Sequence, residues 1–176
     1  MIAPTDRREL IATPRLVLRA AVAADIVPLH ERVFADPEVI RYVFSGRRLS
    51  ADESATFVRE RFNFEGADVG LSTLEERGSA EVIGFAGLVA CEALGDEDLE
   101  LGFVLARRAW GKGYATEIGR AQIEFGFARL RRARLLALVD PANEPSRKVI
   151  LKLGMRHHRD VDVEGRGPRM VYSIEA

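Results

Sequence analysis

The most informative part of the sequence is residues 101–117, which read LGFVLARRAWGKGYATE. The apolar start of this stretch predicts a β-strand over residues 99–106, and the pattern after it predicts a helix over residues 115–129. The turn between them contains Gly111 and Gly113, which allow the backbone to approach an anion closely. Free N–H groups and the positive end of the helix dipole stabilise such an anion. The stretch therefore predicts a site for a phosphate, and a pyrophosphate suits it best.

Two common phosphate-binding fingerprints do not fit this turn. The dinucleotide fingerprint needs a third glycine, but Thr116 stands in that place. The P-loop needs serine or threonine after its Gly-Lys pair, but Gly113 follows Lys112. Both fingerprints are therefore excluded by their spacing.

The rest of the chain predicts strands and helices on both sides of this stretch. Leu16 and Leu18 alternate with polar or smaller neighbours, as a half-buried strand requires. Asp25 is predicted to cap a helix running toward Phe34, and Asp36-Pro37 to begin a second short helix. The remaining predicted elements are a helix behind a capping box at residue 50, a hairpin over 71–90, a strand over 135–139, a helix over 143–153 and two strands around the turn 164–167. This order predicts a mixed α/β sheet with helices on its faces.

Composition limits the class of protein. The 176 residues fit one compact domain, and 47% hydrophobic with 30% charged residues is ordinary for a globular chain. A formal net charge of −1 lacks the basic excess of a protein held by nucleic-acid phosphates. Cys91 is the single cysteine and residues 1–10 show no apolar signal region, so a reduced, cytoplasmic setting is expected. No apolar run is long enough to span a bilayer, and His157 and His158 lack partners at metal-ligand spacing.

The glycine turn resembles the coenzyme A signature of the GNAT N-acetyltransferase superfamily, which is Arg or Gln, two residues, Gly, one residue, then Gly or Ala. Residues 108–113, RAWGKG, match it at every specified position. Similarity to the ribosomal-protein N-terminal acetyltransferase branch extends over residues 13–19, 100–103, 140–146 and 152–155. The resemblance implies a single GNAT domain over residues 11–176, preceded by an N-terminal extension, residues 1–10. It also implies a central, mostly antiparallel sheet that is splayed in the middle and has helices on both faces.

The same resemblance implies acetyl-CoA as the cosubstrate. Its pantetheine arm would lie between the strand that ends near Ala106 and the strand that begins near Leu135. Backbone N–H groups near Val104 and Leu105 would polarise the thioester carbonyl. The residues implied to contact the cofactor are Phe103, Val104, Leu105, Arg108, Gly111, Lys112, Gly113, Tyr114, Ala115 and Asn143. Asn143 fits a helix cap equally well.

Two side chains are implied to be catalytic. Glu100 resembles the family's general base and would act through a water, although an exposed carboxylate at a strand end explains it equally well. For the leaving thiolate, many family members use a tyrosine seven residues after the asparagine, but Ile150 holds that place. Ser146 is the implied substitute, and a plain residue in the first turn of the helix is the alternative.

The acceptor is expected to be an amine, and the resemblance favours the N-terminal α-amine of a ribosomal or other protein. An α-amine, with a reference pKa of about 7.7–8.0, needs less help from a base than a lysine at about 10.4. Three alternatives stay open: an aminoglycoside or polyamine acetyltransferase, a non-catalytic acyl-CoA-binding module, and a nucleic-acid or ribosome adaptor using Arg129, Arg131, Arg132 and Arg134. The overall charge disfavours direct nucleic-acid binding. No metal or membrane partner is expected, and a homodimer is left open.

Overall fold

One eight-stranded sheet organises the part of the chain described by the computed structural model, residues 7–176. Its strands are β1 (Glu9–Ala12), β2 (Leu16–Arg19), β3 (Gly70–Glu76), β4 (Glu81–Cys91), β5 (Asp98–Leu105), β6 (Arg134–Val139), β7 (Arg156–Val163) and β8 (Gly167–Glu175). The α-helices of the same residues are α1 (Ile26–Leu29), α2 (Ala51–Arg61), α3 (Tyr114–Glu124) and α4 (Glu144–Lys152). Turns of π-helix extend α1 through His30–Phe34 and α3 through Phe125–Arg129.

The sheet opens between its two central strands. The strand order is β1-β2-β3-β4-β5-β6-β8-β7, and every neighbouring pair is antiparallel except β5 and β6. These two parallel strands pair at only two positions, Leu99 with Leu135 and Glu100 with Leu136. Beyond them, β5 runs on to Leu105 without β6 beside it. The predicted mixed sheet, mostly antiparallel and splayed in the middle, is confirmed.

Helices cover both faces of the sheet, because its strands direct apolar side chains to either side. On one face, α1 and α2 bury Phe34 and Val58 against Phe85 of β4. On the other, α3 and α4 bury Ile118 and Ile150 against the central strands. None of the helices among residues 7–176 has the length and apolar character needed to cross a bilayer.

Local sequence signals are correct at some elements and wrong at others. At α2, the Ser50 hydroxyl accepts a hydrogen bond from the Glu53 N–H at 3.2 Å, and the Glu53 carboxylate accepts one from the Ser50 N–H at 2.8 Å. This confirms the predicted capping box. Asp36-Pro37 begins a series of turns rather than the predicted second helix. No sequence pattern predicts β1, which takes the last two residues of the N-terminal extension into the sheet; residues 1–6 of that extension lie outside the described residues.

Asp25 stands at the predicted N-cap position of the first helix, but its side chain makes no capping hydrogen bond to that helix. Its carboxylate is buried and accepts two hydrogen bonds from Arg19, each of 2.8 Å, and one from the Thr73 hydroxyl at 2.8 Å. Arg19 also pairs with Glu75 on β3. Burial opposes ionisation of Asp25, but the hydrogen bonds, first among them those from Arg19, hold its pKa below the ordinary value. Asp25 therefore ties β2, β3 and the start of α1 together.

Candidate active site

A glycine turn joins the end of β5 to the start of α3. One turn of 3₁₀ helix, Arg107–Ala109, precedes it, and Gly113 is the N-cap of α3. Gly111 has a φ of 72° and Gly113 a φ of 80°, a left-handed conformation that side chains disfavour. A Cβ at Gly111 would meet no protein atom within 4 Å, so the space beside the turn is open. Within the described chain no side chain caps the N-terminus of α3, which leaves its first N–H groups available to an anion.

Side chains beside β2 and β3 hold the glycine turn in place. Arg15 donates to the Lys112 carbonyl at 2.9 Å and to the Glu117 carboxylate on α3 at 2.7 Å. Partial burial opposes ionisation of Glu117, but the hydrogen bonds it accepts outweigh this and lower its pKa. The Tyr114 hydroxyl donates to Glu76 at 2.5 Å, and this bond to the neutral phenol raises the pKa of Tyr114. The turn is therefore fixed from both sides before any ligand arrives.

A cavity of about 470 Å³ runs from the glycine turn along the end of β5. Its wall also includes the first turns of α3 and α4 and part of residues 36–46, called here the 36–46 segment. The lining residues that were expected from the sequence are Phe103, Val104, Leu105, Gly111, Gly113, Tyr114, Ala115, Asn143 and Ser146. All the expected site residues except Glu100, Arg108 and Lys112 are thus brought together.

The start of α4 contributes a capping asparagine and a serine to the cavity. Asn143 Oδ1 accepts a hydrogen bond from the Ser146 N–H at 3.2 Å, so the asparagine caps α4 while it lines the cavity. The Ser146 hydroxyl makes no hydrogen bond to another described residue. Ile150, which stands where a tyrosine would be the acid, is only 2% exposed and packs in the core.

Arg108 and Lys112, predicted to contact the cofactor, do not line the cavity. Arg108 donates to the Glu81 carboxylate at 2.6 Å, and the Lys112 ammonium lies 3.9 Å from Glu76. Both cations are exposed, and exposed ion pairs contribute only about 0–1 kcal/mol. These two side chains are therefore free to exchange partners.

Glu100, the predicted base, is also absent from the cavity wall. Its side chain is buried, and its two oxygens accept hydrogen bonds from Arg166 at 2.8 and 3.0 Å. The alternative of an exposed carboxylate at a strand end is therefore wrong. Arg166 lies at the tip of the β7–β8 hairpin, where a second cavity is lined by Ser45 and residues 162–167.

Some lining residues carry no signal in the sequence. Part of the cavity wall is formed by four residues of the 36–46 segment, none of which belongs to a sequence motif: Glu38, Val39, Tyr42 and Val43. Trp110 also lines the cavity, is 45% exposed, and donates its indole N–H to the Leu105 carbonyl at 2.8 Å. Its place between Arg108 and Gly111 was the only indication that it would lie near the site.

Two arginines of the predicted basic cluster form ion pairs. Arg129 pairs with Asp68 at 3.1 Å and Arg134 with Asp98 at 2.6 Å, so these arginines of the predicted basic cluster already have acidic partners. Over residues 7–176, no three His, Cys, Asp or Glu side chains are grouped as metal ligands would be.

Comparison with known proteins shows which family this chain is similar to. Residues 15–156 match the acetyltransferase (GNAT) domain. The chain is 31% identical over 151 residues to the uncharacterized protein YkkB of Bacillus subtilis, and the match covers 86% of this chain and 87% of that protein. A crystal structure of a GNAT-family acetyltransferase from Bacillus anthracis has a TM-score of 0.79 and 25% identity, covering 94% of this chain and 97% of that one.

Two further solved structures share the fold at lower identity. One, from Vibrio cholerae, is assigned as a ribosomal-protein-serine acetyltransferase and has a TM-score of 0.76 and 21% identity, covering 98% of this chain and 100% of that one. The other is the aminoglycoside acetyltransferase AAC(6')-Ib in complex with coenzyme A, with a TM-score of 0.70 and 18% identity, covering 91% and 94%. The fold is therefore compatible with more than one kind of amine.

Proposed function

The chain belongs to the GNAT acetyltransferase family, and from this premise we propose that it moves the acetyl group of acetyl-CoA onto the N-terminal α-amine of a protein or peptide. The observation that carries this proposal is one cavity whose wall includes the glycine turn, the end of β5 and Ser146. The glycine turn fits a pyrophosphate. The end of β5 fits a thioester carbonyl, and Ser146 fits the leaving sulfur.

The residues of the cavity fit acetyl-CoA as a substrate. The open space at Gly111 and the N–H groups at the start of α3 suit a pyrophosphate. Beyond Glu100, β5 lacks β6 as a neighbour, so the backbone of residues 103–105 is available to the amides of a pantetheine arm. In the proposed complex, Arg108 and Lys112 leave their exposed carboxylate partners for the phosphates, an exchange that costs little.

The chain's own groups have separate proposed roles in the transfer. Neighbouring N–H groups of a strand point to opposite edges, and the Ala106 N–H donates to Ile83 of β4, so the Val104 N–H faces β4 as well. The Leu105 N–H, on the open edge of β5, donates to the thioester carbonyl oxygen and stabilises the negative charge that develops there. The Ser146 hydroxyl donates toward the leaving sulfur. Glu100 accepts the proton of the amine through a water, once Arg166 has released one of its oxygens. The Arg166 side chain is 42% exposed at the hairpin tip, where an acceptor is well placed to displace it.

An α-amine acceptor suits this modest catalytic apparatus. With a reference pKa of about 7.7–8.0, an α-amine is substantially neutral near pH 7 to 8, whereas deprotonating a lysine there costs about 3–4 kcal/mol. The ribosomal-protein assignment of the Vibrio cholerae neighbour supports a protein acceptor. We therefore propose a ribosomal or other protein N-terminus as the partner and the cytoplasm, which suits the free thiol of Cys91, as the compartment.

A small-molecule amine is the second candidate acceptor, because the aminoglycoside acetyltransferase shares the fold and would use the same cofactor half. The acceptor half would be built from the 36–46 segment and the β7–β8 hairpin, which together line the second cavity. An acyl-CoA-binding module without turnover is the third candidate, because apolar Ile150 stands where many family members have the tyrosine that protonates the leaving thiolate.

A thiol-release assay with acetyl-CoA distinguishes these candidates. The acceptors are N-terminal peptides, the same peptides with blocked N-termini, aminoglycosides and polyamines. The proposal predicts release of the coenzyme A thiol only with free N-terminal peptides. Release only with small amines would contradict the protein acceptor, and acetyl-CoA binding without release from any mixture would indicate a binding module.

A further inference from the structure

The 36–46 segment connects the glycine turn with the acceptor side of the site. At its start, the Asp36 carboxylate accepts a hydrogen bond from Arg107, just before the glycine turn, at 2.9 Å. Near its end, Ser45 lines the second cavity with the tip of the β7–β8 hairpin. Tyr42 lies between these two anchors in the chain and lines the main cavity together with Ser146. The cavity wall therefore includes a tyrosine that is supplied by a different part of the fold from α4.

Four residues of the cavity wall carry hydroxyl groups: Tyr42, Tyr114, Thr116 and Ser146. The Tyr114 hydroxyl is committed to Glu76, which holds its proton in a short hydrogen bond. Tyr42 has no hydrogen-bond partner among the described residues, so its proton is available. Phenols titrate near pH 10 and thiols near 8.5, whereas aliphatic hydroxyls of serine and threonine do not titrate in this range. Of the available hydroxyls, that of Tyr42 is therefore the acid best matched to a thiolate.

An unfavourable backbone turn follows Tyr42, beginning two residues further along the chain. The φ angles of Phe44, Ser45 and Gly46 are 50°, 55° and 70°, a left-handed run that residues with side chains disfavour. The Phe44 ring packs edge-on against Phe34 and Phe57, with centroids 5.7 and 4.9 Å apart. Such conformations persist where the surrounding packing enforces them, and they concentrate at functional sites.

We propose that Tyr42 is the proton donor to the leaving sulfur of coenzyme A, an inference that rests on the proposed transfer reaction. As the carbon–sulfur bond breaks, its electron pair goes to sulfur and the Tyr42 O–H proton follows. The acceptor nitrogen loses a proton to Glu100 as it forms its bond to the acetyl carbon, and this proton returns through water to the phenolate, so that both groups are regenerated. The Arg41 guanidinium, 5.6 Å from the Tyr42 ring centroid, stabilises the negative charge that the phenol carries in between. Ser146 donates a second hydrogen bond to the same sulfur.

The test measures the pKa of the coenzyme A thiol when it is bound to the full-length protein, followed by the ultraviolet absorbance of the thiolate. A phenol that donates to the thiolate favours the charged form, so Tyr42→Phe is expected to raise the pKa of the bound thiol by about one unit. Tyr172→Phe makes the same chemical change outside the cavity, where the hydroxyl donates to the Met170 sulfur at 3.8 Å, and should leave the pKa of the bound thiol unchanged. Turnover of Tyr42→Phe should fall about 100-fold with acetyl-CoA affinity retained.

The outcomes separate this inference from the proposed function. Equal thiol pKa values in Tyr42→Phe and wild type would overturn the role of Tyr42 even if acetyl transfer occurs. A thiol pKa that is raised in Tyr42→Phe but not in Tyr172→Phe would support the contact between Tyr42 and sulfur. If the wild-type protein then transferred the acetyl group to no amine, only the proposed function would be overturned. Failure of the wild-type protein to bind coenzyme A would overturn both.

Discussion

Gly111→Asp is expected to weaken acetyl-CoA binding about 100-fold while the protein stays folded. A Cβ at Gly111 points into open space with no protein atom within 4 Å, so the substitution creates no clash. The left-handed φ of 72° costs about 1 kcal/mol for aspartate or asparagine, which tolerate this region better than other residues. A carboxylate about 5 Å from one phosphate charge adds about 3 kcal/mol of repulsion at an effective dielectric constant of about 20. That energy corresponds to about 100-fold in affinity.

Gly111→Asn provides the matched comparison, because it has nearly the same size and backbone tolerance without the charge. Calorimetric titration at low and high salt should show the aspartate variant binding about 100-fold more weakly than the asparagine variant, with the difference shrinking as salt screens the charges. Gly95→Asp places the same residue at a φ of 86°, also in open space but outside both cavities, and should bind as wild type does. Unchanged affinity in a folded Gly111→Asp protein would refute the assignment of this turn to the pyrophosphate.

Three other substitutions test separate parts of the account. Arg15→Ala is expected to raise the KM for acetyl-CoA about tenfold with little change in kcat, because the Lys112 carbonyl loses the hydrogen bond that fixes the glycine turn. A lowered kcat with unchanged KM in steady-state kinetics would contradict this positioning role of Arg15. Glu100→Gln is expected to lower kcat about 100-fold and to flatten the rising limb of the pH profile of kcat. Arg166→Gln breaks the same ion pair but should keep that limb. The same pH profile in both variants would contradict the role of Glu100 as the base. Asp25→Asn is expected to lower the free energy of unfolding by about 3 kcal/mol at pH 7, because a buried guanidinium loses one carboxylate partner. The pKa of Asp25 in the folded protein lies below its unfolded value of about 3.9. The contribution of Asp25 to the free energy of unfolding is therefore complete above about pH 3.9 and disappears as the pH falls through the folded pKa. Urea unfolding at pH 7 and pH 3 should show the stabilities of the variant and the wild type converging on acidification.

The glycine turn could be predicted because its conformation is written into residue types. Only glycine adopts the left-handed φ values at Gly111 and Gly113 without strain, and the helix that follows begins with N–H groups that no side chain of the described residues caps. The capping box at Ser50 is predictable for a similar reason, since both of its hydrogen bonds join residues three positions apart. Local signals of this kind do not depend on the rest of the fold.

The errors occur where distant partners decide the outcome. Asp25 looks like a helix cap, but Thr73 of β3, 48 residues away, donates a hydrogen bond to its buried carboxylate. Glu100 looks like a free carboxylate, but Arg166, 66 residues away, occupies both of its oxygens. Neither pairing leaves a periodic pattern in the sequence.

The course of the 36–46 segment departs from its local sequence signal for a related reason. Asp36-Pro37 is a helix-start signal, yet such a signal does not say how far helical geometry continues. Here the chain turns instead, and tertiary contacts such as the Asp36–Arg107 hydrogen bond and the aromatic packing of Phe44 determine its course. Tyr42 lines the cavity from within this segment, and no sequence motif identifies it.

The central claim, acetyl transfer from acetyl-CoA to an α-amine, is tested most directly with two peptides of the same sequence. One has a free N-terminus and an acetylated lysine, and the other has an acetylated N-terminus and a free lysine. Each is incubated with the protein and acetyl-CoA and read by mass spectrometry. The account predicts that the first peptide gains one acetyl group, with one coenzyme A thiol released for each, and that the second is unchanged. Acetylation of only the second peptide, or of aminoglycosides and neither peptide, would contradict it.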